Sequence, residues 1–172
     1  MSPAQRLQFD KAPSIFSQAS RSLFARSSGT KNFQLPDLDA AFYGIVPDQK
    51  NIKAYSAICG FDTNSEFLPI TYPHILGFKL HLELMLHRTF PLGPMGMVHL
   101  SNTVIQHRDI KKTESLDIRV LFDGHEKTDK GIEVKLRTET RVGMELVWEG
   151  SSTYLAIIPN KTAKKKEKKE RP

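Results

Sequence analysis

The longest apolar pattern in the chain lies at residues 68–88, and it predicts a helix that is buried on most of its surface. From Ile75 onward, apolar residues recur at spacings of three and four around most of the helix circumference. These positions are Ile75, Leu76, Phe78, Leu80, Leu82, Leu84, Met85 and Leu86. Pro73 suits the first turn, where its missing N–H group is not needed. Lys79 and Glu83 are four residues apart and could share one exposed stripe. A helix of this size is about 20 Å long at roughly 1.5 Å per residue, which is too short to span a bilayer.

Shorter elements precede this helix. Residues 41–46 predict a short strand, and Pro47-Asp48 marks the start of a helix that Gly60 is well placed to end. A polar segment at residues 61–67 then leads as a loop into the central helix.

After Gly96 the apolar pattern changes to a period of two, which predicts strands. The alternating positions are Val98, Leu100, Leu116, Ile118, Val120, Phe122, Ile132, Val134, Leu136, Leu146, Trp148, Thr153, Leu155 and Ile157. Residues 123–124 and 129–131 should bracket one connection, residues 142–144 should form a tight turn, and residues 149–150 suggest a bulge. The pattern therefore predicts four long antiparallel strands with one buried face.

This order of elements predicts an α+β protein in which a curved antiparallel sheet wraps one long central helix, the arrangement called the hot-dog fold. We expect residues 1–34 to be a flexible leader and residues 35–158 to be a single hot-dog domain. Residues 159–172 contain only Lys/Glu-rich low-complexity sequence and should be disordered.

Composition sets limits on the function. Residues 159–172 contain seven Lys and Arg but only two Glu, and residues 1–31 contain five Lys and Arg but only one Asp. The remaining body therefore has more acidic than basic residues. This distribution argues against a nucleic-acid-binding face on the domain. A single cysteine, Cys59, fits a reducing compartment and a cytoplasmic protein.

The leader leaves a second location open. It is rich in Ser and nearly free of acid, as a mitochondrial transit peptide is. Its residues Phe16, Ser20, Leu23 and Phe24 could form one face of a short amphipathic helix, which an ordinary leader docked on the domain would also have.

Several segments resemble the N-terminal half of the MaoC-like acyl dehydratases that contain two hot-dog domains. They are residues 55–61 (YSAICGF), 68–78 (LPITYPHILGF), 80–85 (LHLELM), 97–102 (MVHLSN) and 152–155 (STYL). The resemblance implies a lyase of fatty acid metabolism, acting as a 3-hydroxyacyl-thioester dehydratase or enoyl-CoA hydratase. It implies a CoA or acyl carrier protein thioester as substrate, and no cofactor.

The same resemblance implies that the catalytic pair is missing. The catalytic hot dog of the family carries the motif Y-x-x-x-S-G-D-x-N-P-I-H, whose Asp and His activate one water. Here Tyr55 and Gly60 match, but Phe61 stands where the Asp is expected. Asp62 is displaced by one position, and five residues after it comes Phe67 instead of His. We therefore expect the chain to be inactive alone.

Three residues remain as weak catalytic candidates, each with a structural alternative. Asp62 could be a displaced acid–base remnant or part of a polar loop that caps a helix. His74 could be a neutral hydrogen-bond acceptor with a lowered pKa, or a packed helix-start histidine. Glu83 could activate water, as a central-helix carboxylate does in some hot-dog thioesterases, or pair with Lys79 at the surface. The histidines lack the spacing of a helical metal site, so no metal is implied.

The expected substrate-binding residues lie on the central helix: Tyr72, His74, Phe78, Leu82 and Met85. They could line an acyl-chain tunnel or be plain core. We expect an acyl-binding domain that pairs with a second hot dog, either as a homodimer or with a catalytic partner. The alternatives are a thioesterase that uses Glu83 and a non-enzymatic acyl-binding subunit. An acyl carrier protein is a further possible partner; nucleic acid and a membrane span are not expected.

Overall fold

The computed structural model describes residues 5–9, 14–24 and 33–158. Its elements are β1 (Gln5–Phe9), α1 (Ile15–Phe24), β2 (Leu38–Ile45), α2 (Gln49–Cys59), α3 (Tyr72–Leu86), β3 (Met97–Gln106), β4 (Leu116–Lys127), β5 (Gly131–Val142) and β6 (Glu145–Ile157). The strands form one sheet in the order β1-β2-β4-β5-β6-β3. β1 is parallel to β2, and the other neighbours are antiparallel. The predicted α+β arrangement, with one long helix against a mostly antiparallel sheet, is confirmed.

The central helix α3 packs across β2, β4 and β5. Leu80 and Leu84 are fully buried on its sheet-facing side, where each removes apolar surface from water. Gly77 permits the closest approach, because a Cβ atom there would lie 3.0 Å from the Thr138 methyl group of β5. The helix is not buried all round: Ile75 and Phe78 are 45% and 39% exposed.

The ends of α2 follow the sequence signals. The Asp48 carboxylate accepts a hydrogen bond from the Asn51 backbone N–H, which satisfies one of the free donors at the start of the helix. Gly60 ends the helix in the left-handed conformation with φ of 74°, and its N–H donates to the Ser56 carbonyl. Both predicted ends are therefore confirmed.

The predicted bulge at residues 149–150 is wrong, because β5 and β6 stay in register across both residues. Gly150 has a packing role instead: a Cβ atom there would lie 2.5 Å from the indole ring of Trp148. That ring is fully buried, and its Nε1–H donates to the Ile70 carbonyl at 2.7 Å. The side chain thereby joins the sheet to the residues just before α3.

The connection between β4 and β5 is also shorter than predicted. Residues 123–124 belong to β4, where the register with β5 shifts between Phe122 and His125. The bulge explains why an Asp-Gly pair occurs inside a strand, since Gly124 has a φ of 119° that other residues rarely adopt.

The N-terminal segment differs from the flexible leader predicted for residues 1–34. Residues 5–9 extend the sheet as β1, where Arg6 pairs with the buried Asp39 at 2.8 Å. The helix suggested further along is present as α1. Of its proposed apolar face, Phe16 is 89% exposed, and the buried residue on this helix is Gln18. The Lys/Glu-rich tail at 159–172 lies outside the described residues, and the transit-sequence interpretation of the leader stays a prediction.

Within the described ranges, none of the helices has the length and apolar content needed to cross a bilayer.

Candidate functional site

The segment that matches the hydratase motif consists of α2 and the loop after it. Asp62 is exposed in that loop, and its carboxylate accepts a hydrogen bond from the Asn64 N–H at 2.8 Å. Phe61 stacks on Tyr55 with ring centroids 6.3 Å apart, and Phe67 forms a β-bridge with Lys111. Asp62 thus stabilises its own turn and caps neither of the neighbouring helices.

The proposed acyl-binding residues divide into a buried and an accessible set. Tyr72 and Met85 are each 4% exposed and belong to the core. Burial raises the pKa of Tyr72, whose ring packs edge-on against Tyr55 at 5.3 Å. His74 and Leu82 are half-buried, and Phe78 is exposed. Of the five proposed acyl-binding residues, only these last three lie on the accessible part of α3.

Glu83 is buried beneath α1 and does not lie on the exposed stripe that its spacing from Lys79 suggested. The Gln18 side-chain N–H donates to Glu83 at 2.8 Å, and Arg21 donates to both carboxylate oxygens at 2.9 and 3.0 Å. Gln18 also donates to the Lys79 carbonyl. The carboxylate is thus occupied by α1, and this partner was missed because the contact spans more than sixty residues of sequence.

Replacing Glu83 with Gln should loosen α1 without unfolding the sheet. The variant keeps the side-chain shape but loses the charge that binds Arg21, and we expect about 1–2 kcal/mol less stability. Hydrogen exchange should be faster in residues 15–24 and unchanged in β5. Lys79→Gln is the matched control, and equal protection of α1 in Glu83→Gln and the unaltered chain would contradict the expectation.

Three histidines and a tyrosine converge where α3 meets β3 and β6; we call His74, His81, His99 and Tyr154 the histidine cluster. Neutral His81 is hydrogen-bonded through Nδ1 to the Tyr154 hydroxyl at 3.0 Å and through Nε2 to the Thr138 hydroxyl at 2.7 Å. The His99 ring stacks on Tyr154 at 4.7 Å, and the His74 ring lies 5.5 Å from His81 and 6.0 Å from His99.

The position of each member follows from the elements that carry it. His74 and His81 are seven residues apart and so lie on one side of α3. His99 pairs with Tyr154 in the β3–β6 register, which puts both on the same face of the sheet. Sequence analysis singled out His74, but the cluster as a whole was missed, since only the strand register brings in His99 and Tyr154.

Burial controls the electrostatics of the cluster. It lowers the pKa of His81 to about 3, with smaller contributions from His74 and His99. Burial and the neighbouring His99 lower the pKa of His74 as well. The pKa of the Tyr154 hydroxyl is raised to about 12, chiefly by burial. His81 is therefore a neutral structural group at physiological pH, with a donor on one nitrogen and an acceptor on the other.

The cluster borders a surface that this chain does not cover by itself. β3 is at the end of the sheet order, so one of its edges has no strand partner among the described residues. Its residues Val98 and Leu100 are 43% and 47% exposed. His99 follows Val98 in the strand and so points to the opposite face of the sheet. It lies beside His74, whose ring is 6.2 Å from that of the exposed Phe78 of α3. We call Phe78, His74, His99 and the unpaired edge of β3 the open face.

Metal binding finds no support in the described part of the chain, where no group of three or more His, Cys, Asp or Glu is placed to hold an ion. Both ring nitrogens of His81 are hydrogen-bonded to hydroxyl groups, so neither is free to bind a metal ion.

Comparison with known proteins connects this domain to acyl-thioester dehydratases. No family model matches the chain. The chain is 30% identical over 122 residues to 3-hydroxyacyl-thioester dehydratase X of Mycobacterium tuberculosis. The aligned stretch covers 71% of this chain and 43% of that protein. The crystal structure of that dehydratase superposes with a TM-score of 0.65 at 28% identity, over 69% of this chain and 51% of the dehydratase.

Two further crystal structures share the fold. A MaoC-like dehydratase from Phytophthora capsici has a TM-score of 0.57 at 16% identity, covering 69% of this chain and 47% of that one. The truncated HadBC 3R-hydroxyacyl-ACP dehydratase complex of Mycobacterium tuberculosis has a TM-score of 0.56 at 19% identity, over 66% of this chain and 89% of that one. The predicted hot-dog fold is thereby confirmed. The chain spans about half the length of the mycobacterial dehydratase X that it matches.

Proposed function

Because this chain belongs to the MaoC-like hot-dog dehydratase family, we propose that it is an acyl-binding hot-dog domain that lacks catalytic residues of its own. In this proposal it holds a 3-hydroxyacyl or enoyl thioester together with a second hot-dog domain, and that second domain adds or removes the water. The mycobacterial relative is named for dehydration of 3-hydroxyacyl thioesters, which suggests the same substrate class here.

The observation that carries the proposal is the state of the motif loop. Catalysis in the family requires an acid and a base that share one water. Where the motif has its Asp this chain has Phe61, and five residues later, where the motif has its His, it has Glu66. Counted from the displaced Asp62, the His position is Phe67, and the Asp62 carboxylate accepts a hydrogen bond from the Asn64 N–H of its own turn.

Acyl binding is proposed for the accessible side of α3. Phe78 and Leu82 offer apolar side chains that are not fully packed in this chain. Tyr72 and Met85 lie in the core beneath them and would form the inner wall, and His74 would lie at the polar end. An apolar surface with a few polar groups is the usual composition of a site for a fatty acyl chain.

Pairing with a second hot-dog domain would cover the open face. An unpaired strand edge beside exposed apolar side chains is a feature that proteins normally cover or pair. The chain also spans only about half of the length of its mycobacterial relative.

The test is hydration of crotonyl-CoA, of a longer enoyl-CoA, and of the matching acyl carrier protein thioesters by the purified chain. We expect no turnover above background. A fluorescent acyl-CoA should bind to the chain, and Phe78→Asp should weaken that binding at least fivefold. Met144→Asp, on a 94% exposed side chain far along the sequence in the β5–β6 turn, is the matched control.

Two results would contradict the proposal. Hydration that is lost in Asp62→Asn or His74→Ala would mean that the chain carries its own acid–base groups. Thioester hydrolysis that is lost in Glu83→Gln would establish the thioesterase alternative, in which α1 must move away from Glu83 to admit substrate.

A further inference from the structure

We propose that the face of the sheet turned away from α3 contains a second binding site, which takes a small organic carboxylate on Arg137, Ser151 and Thr103. A cavity, the strand register beneath it and an arginine without a hydrogen bond support this site. It lies on the other side of the sheet from the proposed acyl surface of α3 and does not depend on the proposed function.

A shallow cavity of about 80 Å³ lies over β3, β5 and β6. Its walls include Thr103, Ile105, Arg137, Glu149 and Ser151. A single water needs about 10–15 Å³ of such space, so the cavity has room for several waters or for an anion of similar total size.

The strand register explains why these side chains meet. Arg137 of β5 lies opposite Ser151 of β6, and Ser151 lies opposite Thr103 of β3. Directly opposed residues point to the same face of a sheet. Leu136 and Thr138, the neighbours of Arg137 in the strand, are fully buried on the side of α3, so Arg137 points away from that helix. One row across three strands therefore brings a guanidinium and two hydroxyls to the cavity.

Arg137 has hydrogen-bond donors that this chain does not use. Its Nε atom is buried and has no hydrogen-bond partner among the described residues. The Glu139 and Asp123 carboxylates lie 3.7 and 3.9 Å from Nε, which is too far for a hydrogen bond. The side chain as a whole is 41% exposed, so a ligand can reach the guanidinium from the cavity. A donor left without an acceptor is destabilising, and a ligand oxygen would relieve this cost.

Other arginines on this face are already bound to acceptors. Arg6 and Arg119 share the buried Asp39, with N–O distances of 2.8 and 2.6 Å. Arg141 donates to a backbone carbonyl at 3.1 Å. Of these four arginines, Arg137 is the one whose side chain has no hydrogen bond within the described ranges.

The unused donors favour an oxyanion as ligand. A guanidinium is a planar fork that matches the two oxygens of a carboxylate. The hydroxyls of Ser151 and Thr103 can donate to the same oxygens. Ile105 is 54% exposed in the cavity wall and offers an apolar contact. A carboxylate that carries a short hydrocarbon group would use all of these features, whereas inorganic phosphate would leave Ile105 unused.

Glu149 limits the expected affinity. Its carboxylate is hydrogen-bonded to His107 at 2.8 Å, and its negative charge in the wall opposes that of the ligand. For a ligand of about six heavy atoms we therefore expect a dissociation constant of about 1–10 mM. Glu149→Gln removes the opposing charge and should tighten binding at least twofold.

The experiment is titration of sodium butyrate into the isotope-labelled full chain, followed by the backbone amide signals in NMR spectra. Chloride balances the ionic strength throughout. We expect saturable shifts at residues 103, 137 and 151. Arg137→Gln should raise the dissociation constant at least tenfold, and Arg137→Lys, which keeps the charge but not the fork, at least threefold. Arg141→Gln, two residues further along β5, is the matched control and should change it less than twofold.

Acetate and inorganic phosphate test the ligand class. Butyrate should bind at least threefold more tightly than acetate, and Ile105→Ala should remove that preference. Phosphate that binds as tightly as butyrate would overturn the assignment to an organic carboxylate.

Shifts that do not saturate, or that persist unchanged in Arg137→Gln, would overturn the site itself and indicate a general effect of anions. Far-UV circular dichroism checks that each variant is folded. If Arg137→Gln does not fold, Ser151→Ala takes its place and should raise the dissociation constant at least threefold. Each of these results is independent of acyl-CoA binding, which Phe78→Asp tests.

Discussion

Replacing Trp148 with alanine should lower the free energy of unfolding by about 3–5 kcal/mol, the range for removal of a large buried aromatic side chain. The indole is fully buried and packs over Gly150, so its removal leaves a cavity between the sheet and the start of α3. It also leaves the Ile70 carbonyl without its 2.7 Å hydrogen bond.

Chemical denaturation with urea, followed by far-UV circular dichroism, measures this change. Trp148→Phe should cost less, about 1–2 kcal/mol, because most of the ring volume is kept and mainly the hydrogen bond is lost. Met144→Ala, at a 94% exposed position in the turn before β6, should stay within about 0.5 kcal/mol of the unaltered chain. A loss below 1 kcal/mol for Trp148→Ala would mean that the core does not depend on this contact.

The fold was predictable because its core elements carry strong periodic patterns. The long apolar run indicated α3, and clean alternation indicated β4, β5 and β6. Asp48 and Gly60 marked the ends of α2 since their chemistry acts locally, within a few residues of chain. Such signals are contained in the sequence window that forms the element.

Local pattern failed where a distant contact decides the role of a residue. Glu83 and Lys79 have the spacing of an exposed pair, but the Gln18 and Arg21 side chains of α1 bury the carboxylate instead. No residue near Glu83 in the sequence indicates that α1 packs over its carboxylate. Likewise Gly150 looks like a bulge residue until the indole packed against it is known.

The candidate site was predicted only in part for the same reason. The hydratase motif drew attention to Asp62, and its place at the start of the central helix drew attention to His74. The histidine cluster instead depends on the β3–β6 register, which pairs His99 with Tyr154 across 55 residues of chain. Register is set by the whole sheet and its turns, so a single strand does not reveal it.

Replacing His81 with alanine should lower the free energy of unfolding at neutral pH by about 3 kcal/mol. The ring is fully buried, and its removal leaves the hydroxyls of Tyr154 and Thr138 without their common partner. This loss is large against the roughly 5–15 kcal/mol by which a domain is ordinarily stable.

The same variant should differ from the unaltered chain in how stability depends on pH. The pKa of His81 is about 3 in the folded chain, against 6.5 for an ordinary histidine. Between these two pH values the unfolded chain therefore binds one more proton than the folded chain. The stability contributed by neutral His81 is therefore complete above pH 6.5. It is lost as the pH falls toward 3, by up to about 1.4 kcal/mol for each pH unit.

Denaturation at pH 7.5 and at pH 5.0 measures the consequence. The stability difference between the unaltered chain and His81→Ala should shrink by roughly 2 kcal/mol at the lower pH, because only the unaltered chain has this histidine to protonate on unfolding. Met144→Ala, at a 94% exposed position without a titratable side chain, should show a difference that stays nearly constant. A His81→Ala difference that is the same at both pH values would mean that His81 is already able to take up a proton in the folded chain, and that its two hydroxyl partners do not hold it neutral.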